Sequence, residues 1–396
     1  MDISKKAFIW AIVGLIILRM ILLVLVMNNV PFTDMQDGWR PNFSGSYHPD
    51  EDEIFDIARA LALGTVADRV PNLGYPLLIA PIVYLTGANK AIDIYKIVFV
   101  IEGFILFSLA IISVALIGNK IFQSKKLAIV NSFLFTIYPW LLLGFFKLIN
   151  YDNVVPAFHY QLWIFILTDY LSALLVYLSF YLIFKFLSKT NDSEKIIFNR
   201  LDLILLGIFS GYALLTRIGN IWLFLIILAV LFWFRKFKET ALYLSVFTIV
   251  YLPQFIYNAL AFGAPWRYGY VYASRFATGD GYGWHNIFNI NFKFSKLWLN
   301  FKNFSPDYYI ILFIFASIFL ISISILGFEY LKKINKIFAI ITIAWFWSYT
   351  LFYWSFDISL SQLRYFLPAI PTFIFLFIGA TIYAINKIYG HKQLSH

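Results

Sequence analysis

The chain has 396 residues, 61% of them hydrophobic and only 13% charged, with 44 Phe, 26 Tyr, 12 Trp and a formal net charge of +10. A water-soluble domain usually carries about a quarter charged residues, so the composition excludes an ordinary soluble protein, and the large apolar content excludes a disordered one. Cysteine is absent, which rules out disulfide frameworks, thiol catalysis and Cys-ligated metals. The basic residues fall in short clusters between apolar runs rather than on one exposed face, so a membrane topology accounts for the charge and nucleic acid does not.

A helix needs about 20 mostly apolar residues to cross the hydrocarbon core. By that rule the sequence predicts an all-α, polytopic transmembrane bundle of about ten spans. In chain order these are Ala7–Met27, Ile92–Ile117, Leu127–Leu143, Trp163–Phe186, Leu203–Leu215, Ile218–Phe234, Thr240–Leu260, Tyr308–Gly327, Ile337–Tyr353 and Phe366–Ile388. The fifth runs almost straight into the sixth, which fits a tight hairpin or a single broken element. Tyr75–Leu85 is too short and Pro-rich to cross and is expected to lie in the interface or re-enter. The first span has no small-residue cleavage site after it, so it reads as a retained anchor rather than a signal peptide.

Lys5, Lys6, Lys125, Lys126, Arg235, Lys236, Lys332, Lys333 and Lys387 all fall on one side of this layout. Positive charge in short loops marks the cytoplasmic side, so both termini are expected there. The other side receives the longer connections 28–91, 144–162 and 261–307. No repeat, inverted pair of broken helices or soluble terminal domain is visible, and residues 1–396 read as one membrane domain. Richness in Lys, Ile, Asn and Phe fits an AT-rich prokaryotic genome, hence a prokaryotic cell membrane.

The strongest chemical signal is Ser46-Tyr47-His48-Pro49-Asp50-Glu51-Asp52-Glu53 in the first outer loop. Pro49 followed by four acids starts a helix, and Ile54, Phe55, Ile57, Ala58 and Leu61 give it an apolar face able to lie on the membrane. The acids complement the helix dipole, but four exceed what capping needs. A carboxylate here can act as a general base or hold a divalent cation. His48, His159 and His285 lack metal-ligand spacing, so the metal ligands stay unassigned.

The His-Pro-Asp-Glu stretch resembles the acidic motif of the GT-C superfamily of integral-membrane glycosyltransferases, which take sugars from polyprenyl-phosphate carriers. Thr168-Asp169-Tyr170-Leu171 is similar to that family's second acidic position. Gln362-Leu363-Arg364-Tyr365-Phe366-Leu367-Pro368-Ala369-Ile370-Pro371 resembles its Arg-Tyr-x-x-Pro-x-x-Pro stretch. The types approached are the protein O-mannosyltransferases and aminoarabinose transferases, and the motif is also similar to that of dolichyl-phosphate-mannose-dependent mannosyltransferases. The chain departs from them in lacking a C-terminal soluble domain and in its short second half.

The resemblance implies an enzyme that moves a sugar from a polyprenyl-phosphate donor to a lipid, glycan or protein acceptor on the extracytoplasmic face. Asp50 is the expected base, with Glu51 orienting it or the acceptor. Arg364 and Arg217 sit at outer span ends, at the depth of a lipid phosphate, and Arg69 is a third candidate for the donor phosphate. Asp169 is an intramembrane acid, expensive enough to suggest a role. His48, Tyr75 and Tyr365, within or beside the same stretches, are candidates for substrate contact. Arg19 and Glu102 reach similar depths and are expected to form a structural ion pair. The aromatic and Gly-rich stretch from Trp266 to His285 fits either an acceptor lid or an interfacial aromatic belt. The rival readings are a transporter or flippase of a lipid-linked or anionic substrate and a non-enzymatic scaffold.

Overall fold

The computed structural model describes residues 3–29, 49–69, 71–148, 158, 160–188, 199–269, 309–354 and 360–389. Every element among them is a helix. In chain order these are α1 (Lys5–Asn29), α2 (Pro49–Ala62), α3 (Gly74–Thr86), α4 (Ala91–Phe122), α5 (Lys125–Leu148), α6 (Thr168–Leu187) and α7 (Arg200–Thr216). There follow α8 (Ile221–Trp233), α9 (Phe237–Phe262), α10 (Tyr309–Ile334), α11 (Lys336–Trp354) and α12 (Ile370–Tyr389), the last entered through 3-10 turns over Leu360–Ala369. Helix α4 is continuous but irregular: it begins with 3-10 turns at Ala91–Ile94 and widens to a π-helix over Val100–Leu106.

Eight of these helices are long and apolar enough to cross a membrane: α1, α4, α5, α6, α9, α10, α11 and α12 with its leading turns. The fifth and sixth expected spans are instead two shorter helices, α7 and α8, separated by the 3-10 turn Ile218–Asn220. Helix α7 packs on α6 and α9, whereas α8 lies against α11 and α9. The fourth span begins five residues later than expected, at Thr168 rather than Trp163.

Helix α6 is the centre of the bundle. Its membrane window is 83% buried against 22% for α1, and it touches α4, α7 and the turns leading into α12. Around it α4 pairs with α5, α7 with α9, and α10 with α12. Outward faces carry bare apolar side chains suited to lipid, such as Ile17 and Ile21 on α1, Ile249 and Ile256 on α9, and Phe315 and Phe319 on α10. By contrast the apolar face of α2 turns inward: Ile54, Phe55, Ile57 and Ala58 are buried in the core, with α2 packed on α3. Burial against protein therefore replaces the membrane contact that periodicity alone suggested.

Small residues set the closest helix contacts, as in membrane bundles generally. Gly207 and Gly211 of α7 face α9, where a Cβ on Gly211 would lie 3.0 Å from the carbonyl oxygen of Phe247. At Gly327 of α10 a Cβ would come within 2.5 Å of the Leu376 carbonyl oxygen on α12. That obstacle is backbone and cannot swing away. Gly327→Val is accordingly expected to force α10 from α12 and destabilise by about 1–3 kcal/mol, read as a lower unfolding temperature in detergent; unchanged stability would mean that the two helices do not pack this way.

Candidate functional site

The chain enters α6 through a buried segment, Gln161–Leu167, that leaves the 3-10 turn Tyr160–Leu162 and is non-helical from Trp163 on, and in which no residue is more than 8% exposed. Non-helical backbone survives at membrane depth only where protein satisfies its polar groups, and here side chains from four helices do so. The Tyr138 hydroxyl of α5 donates to the Gln161 carbonyl at 3.2 Å, Arg19 Nη2 of α1 to the Leu162 carbonyl, and the Tyr95 hydroxyl of α4 to the Ile164 carbonyl at 2.6 Å. From α2, Glu51 Oε1 accepts the Ile166 amide at 3.2 Å. Hydropathy alone marks this stretch as a helix start because its side chains are apolar; side chains from elsewhere take over its backbone bonds.

The segment delivers Asp169 to the first turn of α6, buried to 3%. Its carboxylate forms an ion pair with Arg217 Nη1 at the end of α7, and its second oxygen lies 3.7 Å from Arg364 Nε in the turns before α12. An acid there also complements the positive end of the helix dipole. Tyr365 completes the group: the Arg217 guanidinium sits 4.2 Å from its ring centroid, and the ring stacks on Tyr353 at 5.7 Å. The turns carrying Arg364 are held by the Tyr177 hydroxyl on the Leu367 carbonyl and by Trp345 Nε1 on the Pro368 carbonyl at 2.8 Å. Beneath Arg217, Asn220 donates to Ser172 of α6 at 2.8 Å and accepts from the Tyr349 hydroxyl of α11 at 2.9 Å.

A second group adjoins the first through α3. Gly74 opens α3 so close to α7 that an added Cβ would meet Thr216 Cγ2 at 2.6 Å. The next residue, Tyr75, is fully buried and donates its hydroxyl to Glu102 in the π-helical part of α4. Burial first, and then the neighbouring Glu102, push the Tyr75 hydroxyl well above its ordinary range. The π-turn, of a kind frequent at functional sites, places Glu102 within electrostatic reach of Glu51. Tyr170, one residue beyond Asp169, lies within electrostatic reach of both Glu102 and Arg364.

One expected pairing is absent, and the other candidates are placed as follows. Arg19 and Glu102 do not pair: Arg19 is bound to the Leu162 carbonyl and packed over Phe107 and Trp140, Glu102 to Tyr75. Equal depth along two helices does not fix the faces they present. Arg69 pairs with Asp56 of α2 at 2.9 Å, with both side chains about 40% exposed, a pair of small energetic value; it is not joined to Arg217 or Arg364. Glu51 is buried to 1% and supports the Gln161–Leu167 backbone. His48, His159, His285, the Asp50 side chain and most of 261–307 lie outside the described residues. Asp50 itself sits in the first turn of α2. Among the described residues no group of three or more His, Cys, Asp or Glu is placed to hold a metal.

The role of Glu51 is separable by substitution. Glu51→Gln keeps the acceptor for the Ile166 amide and is expected to preserve stability, whereas Glu51→Leu buries that amide unsatisfied and is expected to cost about 1–3 kcal/mol. Equal unfolding temperatures for the two variants would contradict the contact.

Fold and site together define a multi-pass membrane protein, helical in every element of the described residues, in which Asp169, Arg217 and Arg364 meet at the start of the central helix. Compared with models of known families, with curated proteins and with solved structures, the chain gives no match.

Proposed function

We propose that the chain is a membrane glycosyltransferase that moves one sugar from a polyprenyl-phosphate donor to a lipid, glycan or protein acceptor at the extracytoplasmic end of the bundle. One observation carries this reading: Arg217 and Arg364, distant in sequence, share the single carboxylate of Asp169. The two guanidinium groups meet that carboxylate beside the rings of Tyr353 and Tyr365, at the head of an apolar bundle. Guanidinium binds phosphate oxygens bidentately and stays charged when buried. Arg217 keeps 13% of its side chain accessible, enough to be reached.

In this reaction Asp50 takes the proton of the acceptor hydroxyl as its oxygen attacks the anomeric carbon from the side opposite the phosphate. The glycosidic bond to phosphate breaks as the new one forms, configuration inverts, and Arg217 and Arg364 stabilise the departing phosphate. No covalent sugar–enzyme intermediate is needed. Glu51, tied to the Ile166 amide, joins α2 to the segment that leads into Asp169. Membranes containing the chain should transfer label from a polyprenyl-phosphate sugar and not from a nucleotide sugar. Label taken from the nucleotide sugar alone would contradict the proposal.

A second reading, a transporter or flippase of a lipid-linked or anionic substrate, draws on Glu102, an ionisable group buried within a span. It requires movement of substrate across the membrane without bond cleavage, which the same labelled donor reports as intact lipid on the opposite leaflet.

A further inference from the structure

Around the carbonyl of Leu162, three buried side chains carry polar atoms with no hydrogen-bond partner among the described residues. They are Nε and Nη1 of Arg19, Nε2 and Oε1 of Gln161, and Nε1 of Trp163, which has the Tyr138 hydroxyl within reach but outside hydrogen-bond geometry. Arg19 is 1% exposed, Gln161 and Trp163 not at all. Arg19 Nη2 binds the carbonyl of Leu162, the residue between Gln161 and Trp163, and the Phe107 ring lies 4.1 Å from the guanidinium and 5.1 Å from the indole ring. Trp163 is held there at φ 58°, a left-handed conformation that is an outlier for a bulky residue and that persists only where the surroundings enforce it.

The chemistry of the orphaned atoms is one-sided, with four nitrogens that donate against one oxygen that accepts. The charge is one-sided as well. Among the described residues no carboxylate pairs with Arg19, whose guanidinium is covered by the rings of Phe107 at 4.1 Å and Trp140 at 5.3 Å. The acids of the region are engaged elsewhere, Asp169 with Arg217 and Arg364, Glu102 with Tyr75, and Glu51 with the Ile166 amide. Water can occupy donors, but it cannot offset a guanidinium held in the interior of a membrane bundle, where an uncompensated charge is costly.

We propose that Arg19, Gln161 and Trp163 form a binding site for a phosphate-type oxyanion, separate from the pair on Asp169. A phosphate group offers more acceptor oxygens than a carboxylate, and arginine matches it bidentately. The site lies about 10 Å along α1 from Val26, taking seven residues at the helical rise. Its walls are α1, α4, α5 and the Gln161–Leu167 segment, and α1 is one of the least buried spans, with lipid on its outer face. A lipid headgroup and a free phosphate share the same recognition, and the test separates them.

The full chain, purified in a phosphate-free glycoside detergent, is extracted and its bound phosphorus quantified. Its unfolding temperature is then followed against inorganic phosphate and against dodecyl phosphate. The wild type is expected either to retain about one phosphorus per chain or to be stabilised by added phosphate, and Arg19→Met to lose both responses. Stabilisation by inorganic phosphate indicates a free anion; stabilisation by dodecyl phosphate alone, or retained lipid phosphorus, indicates a headgroup. Should Arg19→Met not fold, Trp163→Phe keeps a ring and removes one donor, and is expected to raise the half-saturating phosphate about tenfold. A wild type that holds no phosphorus and responds to neither probe would overturn the proposal. So would a response that survives Arg19→Met or is unchanged by Trp163→Phe. A response that Arg217→Gln abolishes while Arg19→Met spares it would assign the anion to the Asp169 pair instead.

Discussion

Asp169→Asn is expected to be the most destabilising conservative substitution in the described chain, costing about 3–5 kcal/mol, because breaking a buried ion pair strands charge that is largely shut off from solvent. The substitution keeps the shape of the side chain and removes the one carboxylate that Arg217 and Arg364 share. It also deletes the acid in the first turn of α6, a smaller loss of about 0.3–1 kcal/mol. Because α6 is the central helix, the damage should appear in global unfolding in detergent rather than in local fraying. Combining Asp169→Asn with Arg217→Gln should recover part of the loss, since the second change removes the charge left by the first. Wild-type stability in Asp169→Asn would mean that the three side chains do not meet.

The contrast between Asp169 and Glu102 shows what a sequence yields about such a site. Both are acids inside apolar runs, and the cost of that position marks them without any structure. Their partners are not legible, because they depend on which faces α4, α6 and α7 present after packing. Arg217 and Arg364 could be picked out by their place at span ends, while their convergence on Asp169 needed the 3-10 turns over Leu360–Ala369 to fold back against α6. The pairing expected for Arg19 and Glu102 failed for the same reason: depth is readable from residue counts and azimuth is not.

The spans were legible where length and hydropathy suffice, as in α1, α4, α5 and α9–α12. The exception at Gln161–Leu167 is informative. Its residues are as apolar as those of a helix, yet the backbone is irregular because Arg19, Glu51, Tyr95 and Tyr138 supply the hydrogen bonds that a helix would make for itself. Hydropathy records the environment of side chains and says nothing about who satisfies the backbone. The π-turns around Glu102 were hidden likewise, since Val100–Leu106 carries no residue that demands them. Gly103 is the nearest signal: a Cβ there would stand 3.0 Å from Leu23 of α1 and 3.5 Å from the Trp163 carbonyl oxygen, so the glycine lets α1 and the buried segment approach α4.

Transfer with Asp50 as the base requires the first turn of α2 to lie at the same end of the bundle as the paired arginines. Loss of a general base typically costs 10²–10⁴-fold in rate, on the order of 3–5 kcal/mol in the barrier. Asp50→Asn retains the size of the side chain and a polar group in the first turn of α2, so the protein should fold and accumulate normally. The direct measurement is the rate of label transfer from a radiolabelled polyprenyl-phosphate sugar to endogenous acceptors, in membranes holding matched amounts of wild type and Asp50→Asn. Transfer by the wild type and a loss of about 100-fold or more in the variant are expected. Equal transfer by both would contradict it and remove Asp50 as the base; no transfer by either, across a panel of donors, would contradict the glycosyltransferase reading itself.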